Sequence, residues 1–134
     1  MAKLTSSQLL EAIEHLYEAL RVLNSVLKEI EWGAIRGMEI SKDLATAWFQ
    51  VNCCRLYTES DLNFEELTLA GMGLINDAKS MMDSLMSWQK GLTPHGRLYI
   101  IQSIREAAGN LNLVLANLEG LLSNEMSKKS TVTA

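Results

Sequence analysis

Glu11, Glu14, His15 and Glu18 crowd into one short stretch of a predicted helix. Carboxylates and an imidazole on bundle helices are the raw material of a di-iron centre. Such a centre takes a glutamate from each of two helices and a Glu-x-x-His pair from each of the other two, all aimed inward. His15 and His95 are the only histidines, and Ala12 and Leu92 stand three residues before them. The ligand set is therefore incomplete, and neither a metal nor any other cofactor is expected.

His15 is also weighed as a phosphoryl acceptor, because phosphotransfer domains are small helical bundles. Their pattern places a lysine three residues after the histidine, then a glycine. Glu18 and Ala19 stand there instead, and a carboxylate beside a phosphoryl group repels it. His95, Arg97 and Tyr99 open the fourth predicted helix, where free N–H groups can hold an anion. They give a rival reading, a small-ligand or enzymatic site. The adjacent Cys53 and Cys54 are poorly placed to bridge each other on a helix, so they read as reduced packing residues. Phosphate-cradling loops, dinucleotide fingerprints and nucleophile elbows are missing from the sequence. No catalytic residue is assigned, and the chain is expected not to be an enzyme.

The elements that carry these residues are legible from caps and periodicity. Leu4-Thr5-Ser6-Ser7-Gln8-Leu9 and Leu62-Asn63-Phe64-Glu65-Glu66-Leu67 each read as a hydrophobic staple around a capping box. The first opens a helix over 6–31, with Leu9, Ile13, Leu16, Leu20, Leu23, Leu27 and Ile30 in one seam. A second helix is placed over 41–58 with Ser41 as N-cap, the alternative being a start near Ile35 with Gly37 inside it. The third runs over 64–89 on Leu67, Ala70, Leu74, Ala78, Met81, Leu85 and Trp88. Gly91 is its expected C-cap, and Thr93-Pro94 starts a fourth helix over 94–123. The polar residues 124–134 read as a flexible tail. These elements predict an all-α, antiparallel up-down four-helix bundle in one domain, residues 1–123.

The apolar surplus is more informative than the polar residues. Beside its main stripe the third helix carries Leu69, Met72, Ile75, Met82 and Met86. The fourth adds Ile100, Ala107, Val114 and Leu121. Faces that wide mean either a thick core or a meeting surface. Methionine adapts to a partner's shape, which favours the meeting surface. Leu69, Met72, Ile75, Met82, Met86, Ile100, Val114 and Leu121 are the expected interface. Gly71, Gly73 and Gly109 are expected to let helices approach closely.

With 134 residues and a formal net charge of −4, the chain suits a single globular domain and not a nucleic-acid binder. Neither a secretion signal nor a membrane-spanning run is evident, so a cytoplasmic protein without membrane contact is expected. The expected function is protein–protein interaction, as a small adaptor, regulator or inhibitor, most simply a homodimer through helices 3 and 4. In size and acidity the chain is also similar to small helical export chaperones, which hold an amphipathic partner helix.

Overall fold

Thr5 starts the first helix by the reciprocal exchange its position predicts. The Gln8 N–H donates to Thr5 Oγ1 at 3.2 Å, and the Thr5 N–H donates to Gln8 Oε1 at 2.9 Å. The Leu9 N–H closes the first turn on the Thr5 carbonyl at 2.9 Å. In the computed structural model four helices follow: α1 (Ser6–Glu31), α2 (Gly37–Thr58), α3 (Glu65–Ser87) and α4 (Pro94–Val132). The structure describes residues 4–31, 37–58, 62, 64–87 and 94–132, with backbone only for 37, 38, 83–87 and 128–132.

The helices form an all-α four-helix bundle. Each packs on its chain neighbours, and α1 packs on α4, which closes the ring. Cross-helix pairs run in opposite senses. His15 meets Gln50 and Glu11 meets Tyr57 between α1 and α2, while Tyr17 meets Glu119 and Glu31 meets Arg105 between α1 and α4. All the α1 seam residues are buried except Leu27, which is half-buried. Leu44, Ala47, Val51 and Cys54 supply the core from α2; Leu67, Ala70, Leu74 and Met81 supply it from α3.

Two expected boundaries are corrected. Ser41 is not a cap. The second helix begins at Gly37, close to the alternative start near Ile35 but with Gly37 as its first residue, and Ser41 lies buried inside it with its hydroxyl donating to the Ala78 carbonyl of α3 at 2.9 Å. A serine beside an apolar stripe can cap its own helix or bind a neighbour's backbone, and here the neighbour is in reach. The fourth helix does not end at Ser123 but runs on to Val132. No glycine follows Gly120 and no proline follows Pro94, so nothing in the sequence stops it. Met126 of this extension lines a groove together with Leu122 and with Leu10 and Ile13 of α1. Leu67 of the expected staple is buried and Leu62 packs on the core, but the expected second cap, Asn63, lies outside the described residues, as do Gly91 and Thr93.

The glycines do not all serve close approach. A Cβ placed on Gly71 would lie 3.7 Å from Trp48 Cδ1 and Val51 Cγ1, an ordinary contact, while Gly73 and Gly109 have nothing within 4 Å. Neither of the latter two mediates helix contact. Gly73→Ala and Gly109→Ala should each raise stability by about 0.5–1 kcal/mol in urea titrations, through helix propensity alone. Thr5→Ala should lower stability by about 1 kcal/mol, with helix content otherwise retained by circular dichroism.

Candidate interaction surface

Which residues of the expected interface reach solvent depends on how α3 and α4 are turned. Leu69, Met72, Met82 and Leu121 are exposed and Ile75 is half-buried; the side chain of Met86 lies outside the described residues. Ile100 and Val114 are corrected to core: they are 3% and 0% exposed, and Ala107 beside them is 5% exposed. The cause is the α3–α4 contact. Ser103 donates to Asp77 at 2.5 Å, so this side of α4 faces α3. Ile100, Ala107 and Val114 share that side, at helical spacing from Ser103.

The apolar flank of α3 borders α2 instead of α4. Gly71 lies against Trp48 and Val51, and Ala78 accepts the Ser41 hydroxyl, so both face α2. Ile75 and Met82 each stand four residues further along the same stripe. One residue outward, Met72 is exposed. On α2, one residue outward from Trp48, Phe49 is exposed, and Leu56 lies seven residues further on the same line. The surface that forms is therefore shared by α2 and α3. Phe49 and Leu56 had a visible signal, a spacing of seven lying off the Leu44–Ala47–Val51–Cys54 stripe.

Charges bracket this surface. Lys42, Phe49 and Leu56 fall seven apart along α2; Glu65, Met72 and Lys79 fall seven apart along α3, and all six are exposed. The helices run antiparallel here, with Ser41 beside Ala78 and Trp48 beside Gly71. Lys42 and Lys79 therefore share one end, Phe49 and Met72 the middle, and Leu56 and Glu65 the other end, where the exposed Arg55 also stands.

Polar residues of the candidate sites are tied into helix contacts. His15 Nδ1 lies 2.6 Å from Gln50 Oε1, and its ring stacks on Tyr57 with centroids 5.7 Å apart. The Tyr57 hydroxyl donates to Glu11 at 3.3 Å, and the Glu11 charge holds that phenol above its ordinary pKa. His15 is thus half-buried in the α1–α2 contact, with an amide and a ring as partners. Burial, with a smaller contribution from Cys53, pushes the Cys54 thiol up to about 12, the opposite of nucleophile activation. At the start of α4 the structure does not bring His95, Arg97 and Tyr99 together. His95 and Tyr99 are exposed, whereas Arg97, about 200° round the helix from each, is half-buried with its Nε lacking a partner.

A second feature had not been anticipated. An open groove of about 670 Å³ lies between the start of α1 and the end of α4, lined by Leu10, Ile13, Tyr17, Glu119, Leu122 and Met126 among others. Among the described residues, no three His, Cys, Asp or Glu side chains gather as a metal ion would require. No described helix is long and apolar enough to cross a membrane. Compared with known proteins, the chain matches no family model, no curated sequence and no solved structure.

Asp77 is the buried acid of the α3–α4 contact. Burial raises its pKa above the ordinary carboxyl value, against the smaller opposing effect of the Ser103 hydrogen bond. A folded-state pKa above the unfolded one means that the folded chain binds the proton more tightly. The stability this group contributes is complete below the unfolded pKa and is lost as pH rises through the raised value. Asp77→Asn keeps an acceptor for Ser103 and removes the charge. It should be more stable than wild type at pH 7, with the advantage shrinking toward pH 3, as read by paired urea titrations.

Proposed function

We propose that this protein is a non-enzymatic interaction module that acts by presenting the α2–α3 surface to another protein. One observation carries the reading: Phe49, Leu56 and Met72 are 58%, 68% and 57% exposed on the outer sides of two packed helices. Scattered apolar residues on a surface need no explanation. An aromatic, a leucine and a methionine aligned on neighbouring helices form a patch of the kind that marks a protein interface. Phenylalanine offers a rigid apolar anchor, and methionine adapts to what it meets. The role that fits is an adaptor, regulator or inhibitor that works by occupying a surface. Free thiols at Cys53 and Cys54 suit a reducing compartment such as the cytoplasm.

The α1–α4 groove favours a second reading, a chaperone-like hold on an amphipathic helix, because its apolar floor would accept a partner's i, i+3, i+4 side chains. A photo-crosslinking amino acid placed in turn at Phe49, Met126 and Ser25 separates the two. Ser25 is exposed on α1 and serves as the control. Crosslinking to protein at position 49, absent at 25, supports the α2–α3 surface. Crosslinking at 126 alone supports the groove. Equal yields at all three positions would overturn both readings. In the first case Phe49→Asp should weaken the captured complex by about 2 kcal/mol or more, with the thermal midpoint unchanged.

A further inference from the structure

The α1–α4 groove is selective in what it can hold. Leu10, Ile13, Leu122 and Met126 give it an apolar lining, and it is open to solvent. Both walls are helices, so an extended strand finds no sheet edge to pair with. From Leu10 to Tyr17 the α1 wall runs about 11 Å at the helical rise. That length takes two turns of a third helix, with apolar side chains at i, i+4 and i+7. The inner end of the groove is acidic. There the Tyr17 hydroxyl donates to Glu119 at 3.2 Å from one wall to the other. The exposed Glu14 stands four residues after Leu10 and three before Tyr17, on the same side of α1. The cations nearby are engaged or distant. Arg21 donates to Glu18 through Nε at 2.9 Å and through Nη2, and Arg105 donates to Glu31 at 2.8 Å. Lys128 and Lys129 follow Glu119 by nine and ten residues. That places their backbone about 14 Å along α4, beyond the roughly 8 Å over which charges act at physiological salt. Glu14 and Glu119 therefore leave the inner end negative.

We propose that this groove binds a short basic amphipathic helix of another protein, with its apolar side chains on Leu10, Ile13, Leu122 and Met126 and its lysines or arginines against Glu14 and Glu119. This rests on the second reading above, the hold on a partner helix, and supplies the chemistry of that partner. The apolar lining provides the hold, and the carboxylates decide which helix is accepted and which end of it points inward. The exposed Tyr17 ring adds to the preference, because its face attracts a cation and the aliphatic stem of a lysine or arginine can lie across it. An acidic helix of the same apolar pattern is rejected, since it would set carboxylate against carboxylate at the inner end. Two turns bury less than a standard interface, so the contact is weak and exchanges quickly.

Fluorescence anisotropy with the full chain at physiological salt tests this. The probes are two designed helical peptides with leucine at i, i+4 and i+7, one ending in three lysines and the other in three glutamates. The lysine peptide should bind about tenfold more tightly than the glutamate peptide. Glu14→Lys and Glu119→Lys should each weaken the lysine peptide about threefold or more. Glu65→Lys makes the same charge change on α3, away from the groove, and should alter its Kd less than about twofold. Met126→Ser should weaken the lysine peptide about tenfold. All four positions are exposed, and thermal midpoints control for folding. If both peptides bind alike and Met126→Ser weakens both, the groove reading stands and the selection for a basic helix is overturned. If neither peptide binds, or Met126→Ser changes nothing, both are overturned. Equal losses in Glu65→Lys and Glu119→Lys mean diffuse attraction to an acidic chain and also overturn the proposal. So does a wild-type dimer, seen by sedimentation velocity, that Met126→Ser dissociates, because a second copy then fills the groove.

Discussion

Leu16, Leu44, Leu74 and Leu111 stand one on each helix and are wholly buried, and the rest of the molecule depends on the shared interior they build. None of the four helices can hide its apolar stripe alone. Burying a leucine contributes about 1.5–3 kcal/mol relative to leaving it exposed, and the stripes stack such side chains turn after turn. The ring of contacts, with α1 closing on α4, gives every helix two neighbours and leaves only its outer face to solvent. That constraint sorts the whole surface. A residue is core, flank or face according to how far it is turned from the shared axis.

Polar side chains at the flanks then set how neighbouring helices are aligned. Ser41 binds an α3 carbonyl, Ser103 binds Asp77, and His15 rests between Gln50 and Tyr57. Each is a short-range, directional contact in a region where slippage would leave a buried polar group unpaired. Asp77 is the costly member, since its charge is held in a buried contact. The exposed pairs, Tyr17 with Glu119 and Arg105 with Glu31, contribute little by comparison because water screens them. The same logic separates the molecule's two apolar surfaces. The α2–α3 surface exposes Phe49, Leu56 and Met72 on outer helix faces, while the α1–α4 groove is an open hollow between two helices.

Much of the fold was legible in the chain. The Thr5–Gln8 exchange begins α1 at the expected residue, the α1 seam is core almost throughout, and Pro94 opens α4. The site was legible only in part. Met72 and Met82 are exposed as a meeting surface would need, whereas Ile100 and Val114, chosen by the same argument of width, are core. Periodicity measures how wide an apolar face is, but not where its centre points. Phe49 and Leu56 went unassigned because a spacing of seven off the core stripe does not say whether those side chains meet a neighbouring helix or solvent.

Local physics accounts for what the sequence by itself determined: an all-α chain, the start of α1, and the stripe on each helix able to form a core. Caps and a 3.6-residue period act within a few residues, so they can be read without knowing the neighbours. Only the tertiary structure decided the rotation of each helix. That rotation sends the Ile100–Val114 flank inward against α3, turns the methionine flank of α3 toward α2, and takes Ser41 from cap to cross-helix donor. The rotation depends on which helix lies alongside, and side chains far apart in the chain fix that jointly.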